Sequence, residues 1–285
     1  MTERKAELVH VALGGNEPEL AGAWYAPAAP SGDVAFLHMH GKGGNFYTGP
    51  GRFVPLVDAA GEFAHLSLNM RCHDLGYTRY DLPMPDVKEG VIPVAGGMWE
   101  RLSEGVEDVR AGIRWLHDRG YPKVVVSGHS SGAYHALEAC LGDGPRPAAV
   151  ALLSTVISYK RHLVNWFGGE EGRDAALARA RGYVAEGAGH RLIEVEQWYY
   201  AISADSLLER AALPDDAFER MLGEADCPIL FVSGELEPRV PAWRTLYDGF
   251  AAPGKAWLVL DGVGHDYVGR EAELTNALAG FARAL

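Results

Sequence analysis

The pentapeptide Gly128-His129-Ser130-Ser131-Gly132 is a stretch whose residue types and spacing imply a reactive side chain. The β-branched run Val124-Val125-Val126 leads into it, and a helical pattern follows at once. Glycines on both sides of a central serine permit a sharp strand-to-helix turn that lifts the hydroxyl out at its tip. The chain holds 35 Gly in 285 residues, enough for such a pentapeptide to arise by chance, so its surroundings decide. A free serine hydroxyl is a weak nucleophile at neutral pH and needs a base. That base needs an acid to hold its tautomer, and the tetrahedral intermediate needs fixed donors for its oxyanion.

The sequence offers candidates for each part. His265, in Gly262-Val263-Gly264-His265, follows the last strand pattern and precedes the last helix. Of the eleven histidines it alone sits on a loop after a late strand. For the acid, Ser233-Gly234-Glu235-Leu236-Glu237-Pro238 supplies Glu235 and Glu237, which point the same way on extended chain. Glu237 is preferred, because it lies beyond the strand end on the turn that Pro238 opens; Glu235 stays open as the alternative. Asp266 is a poorer choice, being adjacent to the histidine it would have to reach.

The Ser131 amide, first in the helix after the turn, is one oxyanion donor, and the helix dipole favours negative charge there. The other comes from His40-Gly41-Lys42-Gly43-Gly44, with the Lys42 amide first and Gly43 second. This stretch lacks the Gly-Lys-Ser/Thr end of a nucleotide loop. Substrate contacts are expected from Gly41, Gly43 and His129, and from Trp166, Trp198 and Tyr199 further along. His38 and His40 read as core histidines; with His73 and Asp74 they fit no compelling metal spacing, so no metal site is expected.

Those residues must be carried by particular elements. Glu7 to Ala12 and Glu19 to Tyr25 read as a hairpin around Gly14-Gly15-Asn16. Apolar runs at Asp33 to His40, Glu62 to Asn69, Val124 to Ser127, Pro147 to Ser154, Pro228 to Val232 and Ala256 to Leu260 read as buried strands. Helices are expected after Pro50-Gly51 (Phe53, Val54, Leu56, Val57, Ala60), at Leu102 to Leu116, behind Ser130, around Trp243 to Phe250, and at Leu274 to Leu285. Met70 to Gly97 reads as a long irregular connection of the kind that covers a site. From 155 to 223 the alternation is lost. No strand is expected there, only helical pieces at Leu163 to Phe167, Asp174 to Val184 and Glu194 to Arg210. The prediction is an α/β fold: a mostly parallel twisted sheet with helices on both faces, built from 1–154 and 224–285, plus a helical cap at 155–223. Chemistry in such a sheet gathers at the carboxyl ends of the strands.

The net charge of −12 argues against nucleic acid or an anionic membrane surface as partner. No apolar run approaches the roughly 18 residues of a membrane span. The start of the chain has no signal-peptide core. Cys72, Cys140 and Cys227 form no disulfide or zinc pattern. A cytoplasmic protein with reduced thiols is expected.

On His40-Gly41, the serine pentapeptide, Gly234 to Pro241 and Gly264-His265, in that order, the chain resembles the α/β-hydrolase superfamily from about residue 20 onward. The resemblance implies a Ser-His-acid triad, a two-amide oxyanion hole and a cap inserted after the sixth strand. The acid position there usually carries Asp, whereas this chain has Glu237. The expectation is a serine hydrolase acting on a small-molecule carboxylic ester or lactone, with Ser130 as nucleophile, His265 as base, Glu237 as acid and no cofactor. Amide, thioester or carbon–carbon cleavage on the same scaffold, a lyase, or a non-catalytic small-molecule receptor are the alternatives.

Overall fold

The computed structural model describes residues 5–14, 19–28, 32–49, 61–78, 94–196 and 200–285. The expected helix at 50–60 and part of the 70–97 connection lie outside them.

Eight strands form one sheet: β1 (Glu7–Ala12), β2 (Glu19–Tyr25), β3 (Val34–Met39), β4 (Ala64–Leu68), β5 (Lys123–His129), β6 (Ala149–Leu153), β7 (Ile229–Gly234) and β8 (Ala256–Leu260). Their order across the sheet is β1-β2-β4-β3-β5-β6-β7-β8. The β1–β2 and β2–β4 pairings are antiparallel; the other five are parallel. The inner strands β3, β6 and β7 are buried along their whole length, because helices cover both faces. That is why they read as continuous apolar runs rather than alternating ones.

Eight helices are described: α1 (Leu102–His117), α2 (Ser131–Glu138), α3 (Tyr159–Trp166), α4 (Glu170–Ala185), α5 (Ala204–Ala212), α6 (Ala217–Glu224), α7 (Val240–Gly249) and α8 (Glu271–Ala282). In α1, Leu102, Val109, Ile113 and Leu116 are buried, the stripe expected of a 3.6-residue period. One apolar cluster joins α1 and α2 to one sheet face; a second joins Leu274, Leu278 and Ala282 of α8 to the other. Among the described residues no helix is long and apolar enough to cross a membrane.

The inserted segment has an apolar cluster of its own, with Leu163, Trp166, Phe167, Leu177, Ile193, Tyr200, Ile202 and Leu207. Two features of it differ from the sequence reading. Leu192–Glu194 and Ala201–Ser203 pair as short antiparallel strands, so the helix expected from Glu194 begins only at Ala204. Ile193, Val195 and Ile202 are β-branched residues buried on extended chain, and the Ser203 hydroxyl caps α5 by accepting from Ser206 N at 3.2 Å. At the other end, Phe218, Met221 and Leu222 of α6 pack in the main core. Although read as part of the cap, α6 is therefore packed as a core helix leading into β7.

Parallel pairing brings the carboxyl ends of the central strands level. Met39 stands opposite Gly128, Gly128 opposite Leu152, Leu153 opposite Val232 and Gly234 opposite Leu260. The loops carrying Lys42, Ser130, Glu237 and His265 all leave from this edge.

Candidate active site

Ser130 joins β5 to α2 at φ 56° and ψ −116°, a conformation that side chains rarely adopt. Such a position costs of the order of 1–3 kcal/mol and persists only where its surroundings over-determine it. Here the Ser130 amide donates to Leu153 O at 2.8 Å, pinning the turn to β6. Glycines surround it because backbone meets backbone. A Cβ on Gly128 would stand 2.3 Å from Gly132 O, and one on Gly132 would stand 2.4 Å from His40 O. A Cβ on Gly41 would stand 3.0 Å from that of Ser130, so the loop after β3 lies directly against the serine.

Glu237 is buried just past β7, and its Oε2 accepts from His265 Nδ1 at 2.9 Å. Its Oε1 accepts from Ser154 Oγ at 2.5 Å and from Gly234 N at 3.1 Å. Burial works against the carboxylate, but the hydrogen bonds from His265 and Ser154 hold its pKa below the usual carboxylate range. Glu235 is exposed and accepts instead from Gly262 N at 2.8 Å. The side chain before Ser130 secures the histidine loop: His129 Nε2 donates to His265 O at 2.9 Å, with the two rings 4.5 Å apart. This contact sets the Glu237–His265 pair beside the serine turn.

On the β3 loop, His40 is satisfied by backbone at both nitrogens. Its Nδ1 donates to Gly41 O at 2.7 Å and its Nε2 accepts from Met70 N at 2.9 Å. Both bonds hold the Gly41-Lys42 turn in place. Among the described residues no carbonyl accepts from the Lys42 amide. A Cβ on Gly43 would meet Leu75 at 2.8 Å.

A family model described as "Alpha/beta hydrolase family" matches residues 34–278. The chain belongs to the alpha/beta hydrolase family. No curated protein matches the sequence. Among solved structures it is similar to Est1E from Butyrivibrio proteoclasticus, with a TM-score of 0.66 and 12% identity over 97% of this chain and 98% of that one. It is also similar to the alpha/beta hydrolase GrgF from Penicillium sp. sh18, with a TM-score of 0.69 and 14% identity over 99% of each chain. The Pyrococcus furiosus esterase Pf2001 gives 0.61 and 16%, over 99% of this chain and 93% of that one.

In this alpha/beta hydrolase, two sequence candidates for substrate contact have other partners. His129 is 6% exposed and engaged with the His265 loop. Trp166 is buried in the apolar cluster of the inserted segment, edge-on to Tyr200 at 5.7 Å. Trp198 and Tyr199 lie outside the described residues. Several residues around the site were not singled out from sequence. Ser154 ends β6 at φ 49°, as Ser130 ends β5, and bridges Glu237 to Tyr267 Oη at 2.5 Å. Arg239 sits 3.5 Å from Glu237 Oε2 and 3.2 Å from His162 Nε2 of α3. A polar residue at a strand end was the available signal for Ser154; nothing local marks His162.

Several imidazoles in and beside the site are buried neutral. Burial foremost lowers His38 to about 3, and His40 and His162 to about 4. In the unfolded chain these groups titrate near 6.5. Below pH 6.5 the unfolded state therefore binds more protons, and stability present above 6.5 is lost as pH falls toward 4, by roughly 1.4 kcal/mol per pH unit for each proton taken up. Asp108, raised to about 6 by burial against its Arg71 partner, offsets one such proton. The midpoint of thermal unfolding, followed by calorimetry, is expected to fall steadily from pH 6.5 to 4. An unchanged midpoint over that range would contradict neutral burial of these rings.

Proposed function

We propose that this alpha/beta hydrolase is a serine hydrolase that cleaves a carboxylic ester or lactone. The observation that carries the reading is the strained Ser130 turn (φ 56°, ψ −116°) set beside a His265–Glu237 pair 2.9 Å apart. His265 takes the proton of Ser130 as the hydroxyl oxygen attacks the substrate carbonyl. Glu237 accepts from Nδ1–H, fixes the tautomer and steadies the imidazolium. The amides of Lys42 and Ser131 receive the oxyanion, and the start of α2 adds its dipole. His265 then protonates the departing alcohol oxygen. Water follows the same route: it gives a proton to His265 as its oxygen attacks the acyl carbon, and His265 returns that proton to Ser130 Oγ as the acyl–oxygen bond breaks and the acid leaves. In a lactone the alcohol and acid belong to one molecule, so ring opening leaves the hydroxyl attached to the acyl group, and water releases both together as one hydroxy acid.

Treatment with a fluorophosphonate probe tests the reading. Stoichiometric labelling is expected, mapped to Ser130 by peptide mass, with loss of hydrolysis of a graded series of aryl esters. Folded protein that neither labels nor hydrolyses any ester or lactone in the series would instead fit a receptor on the same scaffold.

A further inference from the structure

Lys42 belongs to the loop whose backbone the proposed oxyanion hole uses, yet its side chain is largely withdrawn from solvent. Its ammonium donates to Gly97 O and lies 3.3 Å from Glu100 Oε2, with side-chain exposures of 12% for the lysine and 1% for the glutamate. The Tyr200 ring of the cap stands 5.3 Å from Nζ. Burial, helped by the nearby Arg210 charge, lowers the ammonium to about 8, while Glu100 pulls the other way. The same carboxylate accepts from Arg210 Nη2 of α5, and its Oε1 lies 3.5 Å from His135 Nε2 on α2, the helix that begins at the serine turn.

The cap grips this segment with two successive residues. Arg210 Nη1 donates to Glu100 O at 3.0 Å. Glu209 accepts from Leu102 N at 2.7 Å and from Ser103 N and Oγ at 3.2 and 2.8 Å, closing the start of α1. Residues 97–103 are thus held by the cap on one side and hold Lys42 on the other.

Stability alone gives a poor account of this arrangement, since apolar residues of similar volume do as well as a buried ion pair or better. Geometry gives a better one. Lys42 stands between Gly41 and Gly43-Gly44, and Gly43 has φ 66°. Gly41 O, in the same peptide as the Lys42 amide, accepts from His40 Nδ1 at 2.7 Å and from Gly44 N at 2.9 Å, which ties that peptide on one side, while the glycines on both sides leave the rest of the loop little restraint of its own. The Lys42 side chain adds the tie on the other side of its Cα, the one that reaches Gly97 and Glu100.

We propose that the Lys42 side chain, tied to Gly97 O and Glu100 and through Glu100 to Arg210 of the cap, is a positioning tether that, together with the bonds on Gly41 O, fixes the direction of its own backbone amide in the oxyanion hole. The tether rests on the serine-hydrolase reading, and it makes the hole depend on the cap being docked. Lys42→Met keeps the amide and removes the tie. With p-nitrophenyl acetate it is expected to lower kcat about tenfold, part of what loss of an oxyanion donor costs, with KM within about twofold of the parent. Lys42→Arg, which keeps a cation, is expected to stay within about threefold of the parent. Glu100→Gln is expected to match Lys42→Met, and the double variant to fall no further than about twofold below the worse single one, because both break one tether.

A folded Lys42→Met with the parent's kcat and only a lower unfolding midpoint would make the contact structural and overturn the proposal. So would Lys42→Arg falling as far as Lys42→Met, or an additive double variant. Glu100→Gln carries the kcat comparison if Lys42→Met does not fold. Fluorophosphonate labelling of the parent separates the two failures. A parent that does not label overturns the serine-hydrolase reading and the tether together; a labelled parent with an unaffected Lys42→Met overturns the tether alone.

Discussion

Ser130→Ala is expected to lower kcat/KM for an aryl ester by roughly 10⁴-fold or more, the scale on which a triad nucleophile acts together with its base. The fold should be untouched. Alanine keeps the Cβ that already sits at φ 56°, and the amide bond to Leu153 O does not involve the hydroxyl. A companion variant separates chemistry from strain. Ser130→Gly is expected to be equally inactive yet more stable than Ser130→Ala by about 1 kcal/mol, because glycine adopts the turn without steric cost. Steady-state rates and calorimetric midpoints of the two variants check both statements. Ester turnover surviving in Ser130→Ala would remove the serine from the mechanism. Equal stability of the two variants would mean that the turn stores no strain.

Glu237→Gln is expected to cost roughly 10² to 10⁴ in kcat, whereas Glu235→Gln stays within about twofold of the parent. The asymmetry follows from the contacts. Glu237 is buried and receives His265 Nδ1, Ser154 Oγ and Gly234 N. Glutamine there keeps the shape but loses the charge that steadies an imidazolium, and its amide group can present a donor to Nδ1–H. Glu235 is exposed and receives only Gly262 N among the described contacts. Losing its charge weakens one turn and leaves the histidine in place. Side-by-side kinetics on one ester decide the matter. A larger loss in Glu235→Gln would transfer the acid role to that residue.

Much of the fold was legible because its signals are local. Three valines before a glycine-flanked serine, a four-three-four-three stripe in α1 and Gly-bounded apolar runs each act within one element. Where local preference competed with packing, the reading slipped. Ala204 to Arg210 is rich in helix formers and drew the expected helix back to Glu194, yet Ala201–Ser203 pairs with Leu192–Glu194, where Ile193 and Ile202 are β-branched. Helix α6 looked like the rest of the insertion until Phe218 and Met221 were seen in the main core. The choice between Glu235 and Glu237 could not be closed from spacing, because two residues two positions apart share a direction on extended chain.

The order of the chemical candidates along the chain, and the alternation of strand and helix that carries them, are written in the residues. Backbone freedom at glycine and the period of apolar residues act over a few residues and are written into residue type. Which of those residues meet is a property of the assembled fold. Ser154 reaches Glu237 because β6 and β7 are neighbours in the sheet, though 83 residues separate them. Lys42, Glu100 and Arg210 meet because α5 packs on the segment that follows the small strand Val94–Ala95, across gaps of 58 and 110 residues. Such partnerships are set by strand order and by the need to pair charges once they are buried, and neither can be read from any single stretch of chain. Ser130 is where the two kinds of information join: its turn is local, and what surrounds its hydroxyl is not.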